Sequence, residues 1–323
     1  MKILVTGCAG FIGYHLCLKL LENPKNHVFG IDNLNKYYDL KLKKDRLSNL
    51  KKLSKKFRFY KKDISNISDL KKIFKNNNFN IVVHLAAQAG VRYSIQNPRS
   101  YFETNMLGFF NVIELSKVHK IKHFIFASTS SVYGSNNNFP LKESENTDTP
   151  LSFYAATKKS NEIMAYAYSN IYNLPCTGLR FFTVYGPYGR PDMFLYLLTS
   201  AIKRSKRLNL FNKGNHYRDF TYIDDVVGAI IGIIPKLPSS KVPFSVYNIG
   251  SSSPKNIKNI LKMIERIFNK RVRINLKNIQ KGDVFKTHAD ISKISKRINF
   301  KPKISAKEGI NRFVKWYNQY YKK

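Results

Sequence analysis

Along the first half of this chain, apolar positions follow two rhythms that alternate. Short apolar runs predict strands at 2–5, 27–31, 57–60, 81–85, 123–128 and 176–181. Between them the spacing becomes helical. Ile12, Leu16 and Leu20 share a face over 10–21, and Leu42, Leu47, Leu50 and Leu53 gather toward one face over 40–53. Longer helices are predicted at 101–118 and 154–172. Strand–helix alternation of this kind argues for a parallel sheet covered on both faces.

Past residue 182 the rhythm changes. Gly186-Pro187, Arg190-Pro191 and Lys213-Gly214-Asn215 mark turns, and shorter helices are expected at 193–206, 224–234, 257–268 and 306–317. The expected architecture is α/β. A Rossmann-type, doubly wound parallel sheet occupies 1–182, and 183–323 forms mainly a smaller α/β lobe. A segment near 221–250 is expected to rejoin the first part through a strand at 246–249.

Composition adds bounds. The chain has 323 residues, 43% of them hydrophobic and 14% aromatic, so a real core is expected and wholesale disorder is not. Lys and Arg number 56 against 20 Asp and Glu, a net charge of +36. Such a charge suits nucleic acid or anionic ligands. The lysines are scattered, however, and no arginine-rich arm or aromatic–basic motif accompanies them, so a solvated surface and no nucleic-acid partner are expected. No run of 18 apolar residues exists, and the first strand enters a glycine turn at once. Neither membrane insertion nor a signal peptide is expected. Cys8, Cys17 and Cys176 match no disulfide framework or zinc spacing, which points to a reducing cytoplasm and no metal site.

The chemistry begins at Thr6-Gly7-Cys8-Ala9-Gly10-Phe11-Ile12-Gly13, a G-x-x-G-x-x-G loop between a strand and a helix. Gly7, Gly10 and Gly13 permit a tight turn, close approach to a pyrophosphate and close helix–strand contact. Asp32 ends the second strand, where a carboxylate accepts from adenosine ribose hydroxyls and repels a 2′-phosphate, favouring NAD over NADP. Asn33 and Asn35 are placed to add hydrogen bonds there. Asp63 either accepts from an adenine amine or caps the next helix. Leu85, Ala86 and Ala87 end the fourth strand with small side chains.

Tyr154 and Lys158 are spaced i, i+4, so they share a helix face. An ammonium beside a phenol is expected to lower the phenol pKa toward neutrality and make it a base. Thr129, at a strand end before Ser130 and Ser131, offers a hydroxyl to relay a proton.

Several blocks then carry a family resemblance. They include Gln88-Ala89-Gly90-Val91-Arg92-Tyr93-Ser94, Thr183-Val184-Tyr185-Gly186-Pro187 and Arg218-Asp219-Phe220-Thr221-Tyr222. The sequence resembles the extended short-chain dehydrogenase/reductases of the NAD-dependent nucleotide-sugar epimerase group over nearly its whole length, and within them the bacterial UDP-glucuronate 4-epimerases. The resemblance implies NAD-dependent 4-epimerisation of UDP-glucuronate through a transient 4-keto sugar. The alternatives are another UDP-hexose or UDP-uronate, or an NAD-binding protein that has lost turnover.

It also implies site residues. Phe11, Ile12, Ile64, Gln88 and Asn105 join the cofactor set. Arg218 is expected at the diphosphate, Arg190 and Arg92 near the substrate, and Asp283 at the uridine ribose. Phe211 is placed either on uracil or in the core. Many relatives carry an arginine where this chain has Gln280. Related dehydratases carry an Asp-Glu pair where Ser130 and Ser131 stand. Hydroxyls there suit a sugar carboxylate, so Thr129, Ser130, Ser131 and Thr183 are expected to clamp it. A homodimer through helices 101–118 and 154–172 is implied, with Phe109, Phe110, Tyr166 and Tyr168 serving that contact or the core.

Overall fold

The structure is a computed structural model and describes residues 1–322. Its central sheet holds β1 (Lys2–Thr6), β2 (His27–Asp32), β3 (Phe57–Lys61), β4 (Ile81–His84), β5 (His123–Thr129), β6 (Cys176–Phe181) and β7 (Phe244–Ile249). The strands are all parallel, in the order β7-β6-β5-β4-β1-β2-β3. Strand order reverses between β1 and β4, which opens a crevice at their carboxyl ends.

Pleating explains why these strands read as unbroken apolar runs. Ile3, Val5, Val28, Ile81, Val83 and Ile125 enter one core, while Leu4, Phe29, Ile31, Val82, Phe124 and Phe126 enter the other. Successive side chains point to opposite faces, so a strand covered on both sides needs apolar residues at every position. On one face α1 (Phe11–Leu21) supplies Leu16, Cys17 and Leu20, and α2 (Leu40–Leu53) supplies Leu42, Leu47 and Leu50. On the other, α3 (Ile67–Lys75) and α4 (Phe109–Val118) pack with Ala165 of α5 (Phe153–Tyr172). The three cysteines are free and buried. No helix of the described residues is long and apolar enough to cross a membrane.

One expectation needs correcting. The helix expected over 101–118 is not regular. A short helix Pro98–Tyr101 leads into a π-helical turn, Phe102–Gly108, before α4. A π-turn widens the backbone ladder and frees groups for other partners. Here the Asn105 carbonyl accepts from Asn161 Nδ2 at 2.7 Å, and the Asn105 side chain grips both backbone groups of Gln88. Beyond residue 182 the chain carries short strands as well as the expected helices. Three small two-stranded sheets stand there: Thr183–Tyr185 with Phe220–Tyr222, Arg207–Phe211 with Arg273–Lys277, and Tyr217–Arg218 with Lys255–Asn256. The helix Ile223–Ile233 turns back from this region and packs on α1.

Asp219 fixes this second region. It is fully buried, and its carboxylate accepts from the backbone N–H groups of Ser251, Ser252 and Ala289. Two separate segments are thereby tied to the residue that follows Arg218.

Candidate active site

The glycine loop leaves β1 with Gly7 at φ +71°, and Gly7 N donates to the Ile31 carbonyl at 2.7 Å. A Cβ on Gly7 would meet Ala86 N at 2.8 Å, and one on Gly13 would meet the Gly7 carbonyl at 2.1 Å. Only glycine lets α1 come so close to the loop while its first N–H groups face the crevice. The cradle fits a dinucleotide pyrophosphate.

Beyond it lies a cleft of about 410 Å³. Among the expected cofactor residues, Gly7, Gly10, Phe11, Ile12, Gly13, Asp32, Asn33, Asn35, Ile64, Leu85, Ala86, Ala87 and Gln88 line it. So do Thr129, Ser130, Ser131, Tyr154 and Lys158. Two expected residues do not. Asp63 gives its carboxylate to Asn33 Nδ2 at 2.7 Å and to the Ser65 hydroxyl at 2.7 Å, and Asn66 rather than Asp63 caps α3. Asn105 is buried behind the wall, holding Gln88 and Thr157. Both residues shape the cleft through neighbours that do line it.

Asp32 accepts from Ala9 N at 3.1 Å and Leu34 N at 2.8 Å. Burial pushes its carboxyl above the usual value, and the Leu34 hydrogen bond and nearby Lys43 pull it back. Lys43 itself binds the Asn35 side chain at 2.6 Å and carbonyl at 2.9 Å. Arg46, fully buried, ties the Ala9 carbonyl (2.8 Å) to the Tyr188 carbonyl (2.5 Å). Neither basic residue was expected here. A signal existed, since positions 43 and 46 fall beside Leu42, Leu47 and Leu50 on the apolar side of α2.

Ser152 caps α5 by accepting from Ala155 N at 3.2 Å, which puts Tyr154 in the first turn and Lys158 one turn on. Thr129, the last residue of β5, donates its hydroxyl to Ser131 Oγ at 3.2 Å and pulls the Tyr154 phenol pKa down. The direction of the phenol's shift is opposite to expectation. Burial raises the Tyr154 pKa, and Thr129 and the Arg190 charge offset only part of the rise. Burial also lowers Lys158, to about 8, against an upward pull from Glu162. A desolvated ammonium and a desolvated phenol both resist charge, so burial in the cleft favours neutral Tyr154. Glu162 lies one turn beyond Lys158 and is gripped by Arg180 through two bonds of 2.9 and 2.8 Å, with Ser128 donating at 2.6 Å.

These shifts set a pH dependence. Lys158 loses its proton as pH rises through about 8. Turnover that needs the ammonium is expected to fall on that alkaline side. A kcat profile that stays flat to about pH 10, near the ordinary lysine value, would contradict this.

A second cavity of about 220 Å³ adjoins the first. Arg92, Phe211, Arg218 and Asp283 line it, and Thr183, Val184, Arg190 and Met193 line both. The Arg92 guanidinium lies over the Phe211 ring, 4.5 Å from its centre. Arg218 and Asp283, expected at separate points of the substrate, are paired with each other at 2.6 Å. Arg190 is paired to Asp192 through bonds of 3.0 and 2.5 Å, and Tyr37 donates to the same carboxylate at 3.2 Å. Tyr37, Met193 and His216 were not foreseen. Their loops carry no regular spacing to mark them.

Comparison with known proteins agrees with this geometry. A family model described as GDP-mannose 4,6 dehydratase matches residues 4–313. Protein CapI of Staphylococcus aureus is 48% identical, over 100% of both chains. A probable UDP-glucuronate 4-epimerase of Rhizobium meliloti (strain 1021) is 38% identical, covering 100% of this chain and 98% of its own. The crystal structure of UDP-glucuronic acid 4-epimerase from Bacillus cereus, in complex with UDP-glucuronic acid and NAD, superposes with a TM-score of 0.93 at 37% identity, over 99% of this chain and 100% of that one.

Proposed function

The chain belongs to the family matched by the GDP-mannose 4,6 dehydratase model, among the extended short-chain dehydrogenase/reductases, and from that membership we propose that it is an NAD-dependent 4-epimerase interconverting UDP-glucuronate and UDP-galacturonate. The observation that carries this reading is the meeting of Thr129, Tyr154 and Lys158 in the dinucleotide cleft, next to the second cavity. In this reading residues 1–182 with the segment 221–250 hold the cofactor, and the rest of 183–323 holds the nucleotide sugar.

Each residue then has a task. NAD, held by the glycine loop and Asp32, would supply a reversible hydride acceptor for C4 of the sugar, so that the alcohol could pass through a 4-ketone with the cofactor regenerated. Tyr154 Oη accepts the O4 proton and later gives it back, and the Thr129 hydroxyl orients it. Lys158 supplies positive charge that favours the phenolate, against the burial that disfavours it. Arg218 faces the diphosphate while keeping its pair with Asp283, and Phe211 offers its ring to the base.

Ser130 and Ser131 separate this reading from the dehydration that the model's description suggests. Loss of water needs a carboxyl acid and base beside the sugar, and both positions here are hydroxyls on the turn Ser130–Tyr133. They instead suit the uronate carboxylate, together with Thr129, Thr183 and the Arg190 cation. Holding that carboxylate out of line with the ketone suppresses loss of CO₂. The double variant Ser130→Ala/Ser131→Ala is expected to raise KM about tenfold and to release UDP-4-keto-pentose. The clamp is refuted by a parental KM with no pentose.

Proton NMR of purified protein with UDP-glucuronate and no added reductant tests the function. UDP-galacturonate is the expected product. Absence of product while UDP-glucose or UDP-N-acetylglucosamine is epimerised would move the assignment to that sugar.

A homodimer completes the proposal. Phe110 and Tyr166 are exposed, as are Phe102, Leu107, Ile163 and Ile171 on the same helical run and on α5. Phe109 is wholly buried and Tyr168 donates to Glu114, so those two serve the chain's own packing. Light scattering is expected to give about twice the chain mass; a monomer at micromolar concentration would refute the pairing.

A further inference from the structure

The wall of the second cavity contains a buried polar atom with nothing to bind. His216 is 5% exposed, and its Nε2 makes no hydrogen bond among the described residues. The other ring nitrogen is committed. Nδ1 lies 3.1 Å from the Val284 carbonyl, which can only accept. Arg218 Nη2 approaches the same nitrogen at a longer 3.4 Å. Burial and the Arg218 charge lower the imidazole pKa, against Asp283 and the Val284 and Phe285 carbonyls. The ring is therefore neutral at neutral pH, with its proton on Nδ1 and an acceptor lone pair on Nε2.

A second acceptor faces the first. Asp283 Oδ2 is 3.7 Å from His216 Nε2, while Oδ1 of the same carboxylate takes Arg218 at 2.6 Å and Val284 N at 3.0 Å. Two acceptors side by side call for donors between them. A cation is disfavoured, because the Arg218 guanidinium already supplies positive charge at this carboxylate. A pair of adjacent hydroxyls satisfies both without adding charge. The setting also restricts which hydroxyls these are. Phe211, on the same wall, offers a ring to a base, and Arg218 offers a guanidinium to phosphate. The sugar of a nucleotide must lie between its base and its phosphate.

We propose that His216 Nε2, beside the Asp283 carboxylate already expected at the ribose, accepts one of the vicinal hydroxyls of the nucleotide ribose and makes the site select ribonucleotides over 2′-deoxyribonucleotides. The inference rests on reading this cavity as the nucleotide-sugar site.

Titration calorimetry of the NAD-loaded protein with UDP and with 2′-deoxy-UDP tests it. The parent is expected to bind UDP about tenfold more tightly, the penalty of leaving one buried acceptor unsatisfied. His216→Phe keeps a ring but removes the acceptor. The two affinities should then agree within about twofold, because UDP weakens while 2′-deoxy-UDP does not. His216→Asn retains an N–H for the Val284 carbonyl and loses the distal acceptor, so the same convergence is expected if the phenylalanine variant does not fold. NAD content and thermal unfolding establish that a variant is intact. A parental ratio in an intact variant overturns the proposal, as does equal weakening of both nucleotides. A parent that binds neither nucleotide overturns the reading of the cavity itself, and this inference with it.

Discussion

Tyr154→Phe should lower kcat by about three orders of magnitude and leave a folded, NAD-loaded protein. The substitution removes one hydroxyl and nothing else. The ring keeps its edge-to-face contact with Tyr101, at 6.0 Å between centres, and α5 keeps its Ser152 cap. A positioned acid–base group contributes roughly 10²–10⁴ to rate. The upper part of that range applies, because a cleft that raises the phenol pKa provides no alternative base of similar position. Thr129 lowers the phenol pKa but carries only a hydroxyl. Product formation followed by NMR, with UDP affinity measured in parallel, checks the prediction. A variant within tenfold of parental kcat, with unchanged affinity, would remove Tyr154 from the chemistry.

The second large effect lies behind the site. Arg180→Ala is expected to destabilise the protein by about 3–5 kcal/mol, because it strands the Glu162 carboxylate in the interior. The pair is almost wholly enclosed, with side-chain exposures of 5% and 6%. Burial alone works against the Arg180 charge, and Glu162 outweighs it. Stranding Glu162 also disturbs chemistry, since its charge acts on Lys158. The melting temperature should drop by about 10 °C, and kcat should fall with it. Lys19→Ala is the control. Its pair with Glu22 is 53% and 61% exposed, so the expected change is below about 1 kcal/mol. An Arg180→Ala protein that melts within about 2 °C of the parent would show that the ion pair contributes little.

Much of this was legible in the chain. The sheet strands declare themselves because both faces are covered, which forces consecutive apolar residues into Ile3, Leu4 and Val5 of β1 and Ile81, Val82 and Val83 of β4. The glycine loop and the Tyr154–Lys158 pair are local patterns, and local patterns survive folding. What stayed hidden depends on distance in sequence. The strands Arg207–Phe211 and Arg273–Lys277 pair across more than 60 residues, and only tertiary contact makes their half-polar sequences strands. The π-turn at Phe102–Gly108 follows from what Asn105 must reach on other elements. The direction of the Tyr154 shift was misread for a related reason. Spacing brings lysine to the same helix face but says nothing of how deeply both groups are buried.

Thr183, Val184, Arg190 and Met193 form wall for both cavities at once. Side chains that touch two occupants tie the occupants' binding free energies together. Whatever factor NAD adds to the grip on the nucleotide sugar, the sugar must return to NAD. Each turnover then renews the hold on the cofactor, and the time of greatest risk of losing it is the interval between one product's departure and the next substrate's arrival.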